Sequence, residues 1–123
     1  MDQTWPYSAR HSPPAPTVRL ELMRSQVECL VDTGFSGGVL LPFPLFESLG
    51  FLSRLVPDPY QAVMPDARRL PLFTARDDVV VGPVNLRTEV HSSPSLNRRL
   101  VGRRFLKAFV AVLDGKKEQL TLS

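Results

Sequence analysis

Asp32 closes the apolar run Val27–Val31 and is followed at once by Thr33 and Gly34. A carboxylate at that point stands at the lip of the core, a placement suited to acid or base work. Gly34 lets the backbone turn tightly and lets another chain come close. Thr33 supplies a hydroxyl that can hold the loop. The same three residues also suit an ordinary Asx turn between two strands, so the triplet alone carries two readings.

The other candidate groups are weaker. Thr33–Gly38 is a glycine-rich turn after a strand, yet it fits neither Gly-x-Gly-x-x-Gly nor a P-loop. His11 and His91 lie far apart, without carboxylates or cysteines at ligand spacing, so no metal and no cofactor is expected. No Ser-His-Asp set stands out. Arg98, Arg99, Arg103 and Arg104 cluster without interleaved aromatic residues. They read as a solvated or dimer-contact face rather than a nucleic-acid grip.

The elements that must position Asp32 are short. Thr17–Leu22 alternates with period two, as a half-buried strand does, and Arg24–Gln26 turns the chain into the strand Val27–Val31. Val39–Leu41 is a short buried strand. Pro42–Leu49 reads as a brief helix with prolines in its first turn and Gly50 at its C-terminal end. Strands return at Tyr60–Met64, Leu70–Ala75, Asp78–Val81 and Val84–Val90, with turns at Pro65–Arg68 and Gly82-Pro83. Leu100–Ala108 is expected as one short helix, and Val110–Leu113 and Gln119–Leu122 as strands about an Asp114-Gly115 turn. The pattern predicts a mainly β, sheet or barrel-like domain.

The chain has 123 residues, room for one domain, with 43% hydrophobic and 22% charged residues as in ordinary globular proteins. Twelve prolines break up long helices. Residues 1–15, ending in a proline-rich stretch, are expected to be a flexible arm ahead of a folded unit at 16–123. A single cysteine, Cys29, excludes an internal disulfide and sits where a buried thiol belongs. No stretch approaches the ~20 apolar residues of a membrane helix, no signal peptide is visible, and a cytoplasmic location is the expectation. The net charge of +3 favours solubility and does not by itself indicate nucleic acid as a partner.

The loop Val-Asp-Thr-Gly-Phe resembles the active-site loop of retropepsin-like aspartic proteases, particularly small bacterial and archaeal members. Leu100-Val-Gly-Arg-Arg-Phe-Leu106 resembles that family's second signature, an apolar pair and glycine leading into a short helix. The resemblance runs in order over about residues 17–122. It implies a barrel-like retropepsin protomer with one or two short helices, acting as a homodimer on peptide or unfolded protein. It also implies that Asp32 is the acid/base, that Thr33 cross-braces the two active loops, and that Gly34 meets the substrate backbone. Phe35 and Ser36 would line the substrate site, and Tyr60–Ala75 would be a closing flap, with Met64, Pro65, Asp66 and Ala67 at its substrate-facing tip. Because the family's chemistry needs two facing carboxylates and this chain has one Asp-Thr-Gly, the second comes from another copy.

Three departures stand beside the likeness. The flap tip lacks glycine, Phe35 replaces a small residue of the retroviral members, and Arg103 lacks its usual aspartate because that position is Ser36. Arg103 therefore needs another partner or points to solvent. The rival readings are a dimer of this fold that binds peptides or ligands without hydrolysis, and a monomeric interaction domain whose Asp-Thr-Gly is only a turn.

Overall fold

A computed structural model describes residues 2–57, 60–63 and 66–123. The β2–β3 hairpin (Thr17–Leu22 and Ser25–Val31) is formed as expected, with the alternation read in β2: Val18, Leu20 and Leu22 meet Val27, Cys29 and Val31 in the core. Its turn is tighter than expected, because Leu22 pairs with Ser25 and leaves only Met23 and Arg24, both at positive φ, to reverse the chain.

Strand β4 (Val39–Leu40) leads to helix α1 (Phe43–Ser48), which ends at Gly50 with φ +83° and passes into a 3-10 turn at Phe51–Arg54. Phe46 and Phe51, ring centroids 5.3 Å apart, bury this segment against the barrel. Strand β5 (Tyr60–Val63) pairs with the start of β6 (Arg69–Val81), and β7 (Val84–Ser92) pairs with the rest of β6. The sequence expectation of two strands at 70–75 and 78–81 is corrected: Arg76 and Asp77 continue one strand, with Asp77 facing Arg54 at 3.5 Å.

Strand β8 (Leu100–Val101), Gly102 and helix α2 (Arg103–Leu106) replace the single helix expected over Leu100–Ala108. The large sheet runs β2-β3-β8-β4-β7-β6-β5, and a bridge from Glu21 to Val80 closes it into a barrel from which β5 projects. Strands β9 (Ala111–Asp114) and β10 (Gln119–Leu122) belong to a second, three-stranded sheet.

The third strand of that sheet is β1 (Gln3–Pro6), so the expectation of a flexible arm over residues 1–15 is corrected. Trp5 lies opposite Leu120 and packs, with Tyr7, against the core. Pro6 is tolerated because β1 is an edge strand, where a missing N–H leaves no partner unpaired.

Candidate active site

The site is built where β3 ends. Val31 pairs with Val101 of β8, and Asp32 extends that register by donating its N–H to the Val101 carbonyl at 3.0 Å. The chain then turns, with Phe35 N–H on the Asp32 carbonyl and Gly34 N–H on Asp32 Oδ1 at 2.9 Å. The Asx turn is thus present. Among the described residues, the Gly34 N–H is the one donor on this carboxylate, leaving Oδ2 for a ligand or water.

The loop is clamped from the far side of β8. Gly102, Arg103 and Arg104 donate their main-chain N–H groups to the carbonyls of Gly38, Phe35 and Gly37. A Cβ on Gly102 would lie 2.5 Å from both the Gly37 and Phe35 carbonyl oxygens, so only glycine allows the approach. The Arg103 side chain also finds its partner: Nη1 donates to the Thr33 carbonyl at 2.6 Å. Arg104 turns away, pairing with Glu89 at 3.2 Å and lying over the Tyr60 ring. The four-arginine cluster seen in sequence therefore divides into two loop-bracing residues and two others, Arg98 and Arg99.

Asp32, Gly34, Phe35 and Ser36 border one cleft of about 420 Å³. Its apolar floor belongs to a small cluster of Leu40, Leu72 and Leu100, with Leu30, Phe35 and Leu96 against it. The β5–β6 hairpin supplies Ala62 and Val63 to the wall. Thr33 is exposed and does not line the cleft. Met64 and Pro65 lie outside the described residues. Asp66 and Ala67 stand exposed at the hairpin tip and do not line the cleft either; Asp66 instead binds Arg68 Nε at 2.6 Å. Ala62 and Val63, which do, escaped notice because the sequence marks the turn and not the residues beneath it.

Two further groups were missed in sequence. His91, one residue beyond the strand expected at Val84–Val90, is a fully buried β7 residue whose ring meets Phe35 and Tyr60. Burial pushes its pKa down to about 4, so it is neutral at ordinary pH. Glu89, two residues earlier, accepts from the Tyr60 hydroxyl at 3.0 Å. Burial raises its pKa, but the Tyr60 bond, a main-chain bond and Arg104 outweigh that and hold it below the ordinary carboxylate range. Among the described residues, no group of three His, Cys, Asp or Glu side chains is placed to hold a metal ion. No described helix is long and apolar enough to cross a membrane.

No protein-family model and no curated protein matches the chain in sequence. Solved structures do match in fold. A retropepsin-like aspartic protease from Rickettsia conorii superimposes with a TM-score of 0.71 at 19% identity, over 99% of this chain and 90% of that one. EIAV protease complexed with the inhibitor HBY-793 gives 0.59 at 17% identity, over 76% of this chain and 86% of that one. The retroviral protease-like domain of Ddi1 from Leishmania major gives 0.56 at 18% identity, over 87% and 86%. At these identities the likeness establishes the fold.

Proposed function

We propose that this chain, which has the fold of retropepsin-like aspartic proteases, is one protomer of a homodimeric aspartic endopeptidase. One observation carries the reading. Asp32 leaves the barrel wall with a single main-chain donor on its carboxylate and borders an apolar cleft that a projecting hairpin flanks. The loop beneath it is held by three main-chain bonds and the Arg103 guanidinium, the rigidity that positioning of a reactive group requires.

Two Asp32 carboxyls, one from each copy, share one proton because like charges so close drive their pKa values apart. The ionised member takes a proton from a water whose oxygen attacks the peptide carbonyl carbon. The protonated member hydrogen-bonds the carbonyl oxygen. The C–N bond of the tetrahedral adduct then breaks, and the leaving amine takes a proton from the dyad. These titrations belong to the pair. Exposed Thr33 is available to brace the partner's loop, and Gly34 offers its backbone to the substrate. Phe35, Ser36 and the leucine floor receive side chains, while the hairpin closes over the peptide and excludes water.

The test is Asp32→Asn. It should keep fold and dimer and abolish cleavage of an unstructured peptide that the unaltered chain cuts, with the parent's rate highest on the acid side of neutral. Cleavage by the variant at the parent rate would overturn the assignment. Peptide binding by the unaltered chain without turnover would leave the non-hydrolytic dimer in its place.

A further inference from the structure

Arg98 and Leu100 stand between two clefts. One is the Asp32 cleft; the other, about 330 Å³, lies between residues 97–99, Glu28 and the N-terminal segment at Arg10. The two adjoin along the Arg98–Leu100 wall. An extended peptide leaving the Asp32 cleft along that wall reaches the second one.

The second cleft carries an excess of positive charge. Arg10, Arg98 and Arg99 line it against one carboxylate, Glu28. Glu28 is already engaged: burial raises its pKa, but the Ser8 and Thr17 hydroxyls, Arg10 and Arg19 outweigh that and keep it charged. Arg98 and Arg99 are exposed, and neither makes an ion pair with a described carboxylate. Elsewhere in the same stretch Arg103 and Arg104 are satisfied by Thr33 and Glu89. Two guanidiniums with no ion pair among the described residues thus lie beside the cleft that Asp32 borders, in a chain where the neighbouring arginines are used structurally. A guanidinium's fork of donors matches a carboxylate, and charges at a rim select partners by complementarity.

We propose that this second cleft is a subsite for acidic side chains, so that the favoured peptides carry Glu or Asp beside the apolar residues seated at Asp32. The inference rests on the peptidase reading for the position of the peptide. In a two-fold dimer each copy contributes the same basic cleft, so acidic residues are favoured on both sides of the centre.

The experiment uses two short fluorescein-labelled peptides, each with a central apolar pair flanked on both sides by Glu or, in the second, by Gln. Binding is measured by anisotropy on the Asp32→Asn chain, and cleavage as kcat/KM on the unaltered chain. The Glu peptide should bind about tenfold more tightly, an advantage that shrinks in high salt. Replacing both residues, Arg98→Gln with Arg99→Gln, should remove the preference, and Arg99→Gln alone, at a residue that lines only the second cleft, should weaken it while leaving binding of the Gln peptide unchanged. Exposed and without an ion pair among the described residues, the two side chains can be replaced without loss of fold, which circular dichroism checks. Equal binding of the two peptides, or a preference that survives the double replacement, overturns the subsite. Selective binding without any turnover supports the subsite and removes the hydrolytic reading; cleavage without charge preference does the reverse.

Discussion

His91 shows how one side chain ties the active loop to the barrel. The Gly38 N–H donates to Nε2 at 3.4 Å, so the ring proton is on Nδ1, which donates to Thr74 Oγ1 at 2.8 Å. Burial is the main cause of its lowered pKa; Arg104 adds to it and Glu89 opposes it. The pKa lies near 4 in the fold against 6.5 for a free histidine, so between those values the unfolded chain holds the extra proton and stability falls as the pH falls. On the order of 2 kcal/mol should be lost between pH 7 and pH 5, read as a drop in the urea midpoint. A His91→Phe chain should lose that slope, at a cost of about 1–3 kcal/mol at pH 7 for the Gly38 N–H left without its acceptor. An unchanged slope in the variant would assign the pH effect elsewhere. The acid-side activity proposed for the dyad therefore draws on the same pH span over which the fold weakens.

At the scale of elements, the β5–β6 hairpin is anchored at its base and strained at its tip. Tyr60 binds Glu89 and underlies Arg104, tying the base to β7 and α2. At the tip Ala67 has φ +66°, in the left-handed region where a Cβ is crowded, and the Asp66–Arg68 pair holds the turn. The turn that the sequence marks as lacking glycine is therefore made with a conformation that glycine would adopt freely. Ala67→Gly should raise stability by about 0.5–1 kcal/mol and Ala67→Val should lower it, both measured by urea unfolding. A loss of stability with glycine would show that the tip is not strained.

For the whole molecule, the proposed chemistry needs a surface on which two copies meet. Strand β9 is one of the two edges of the three-stranded sheet, β1 being the other. Val110 exchanges both main-chain bonds with Ser123, so by antiparallel alternation the N–H and C=O groups of Ala111 and Leu113 point outward. Val112 and Leu113 are 51% and 44% exposed, and β9 carries no lysine or proline to guard its edge. Such an edge suits pairing with its own copy about a two-fold axis, which the dyad requires. Val112→Lys should raise the dimer dissociation constant at least about tenfold by sedimentation, with the circular dichroism spectrum unchanged and activity recovered at high protein concentration. An undisturbed dimer would place the contact elsewhere.

What the sequence by itself determined is what local pattern carries. Period-two alternation in β2, a glycine after α1 and the Asp-Thr-Gly turn are written in neighbouring residues, and each stands where it was expected. The β1 strand was not legible, because four residues ending in proline acquire their meaning only from β10, more than a hundred positions away. His91 was equally silent, since its burial depends on Thr74, Gly38 and Phe35 converging from separate elements. So were the partners of the arginines: spacing showed four like charges, and only the crossing of β8 beneath the active loop decided which of them brace it and which have no ion pair among the described residues. Alternation and turn chemistry act over a few residues, whereas a site is made where distant segments pack, and that was decided by the tertiary fold.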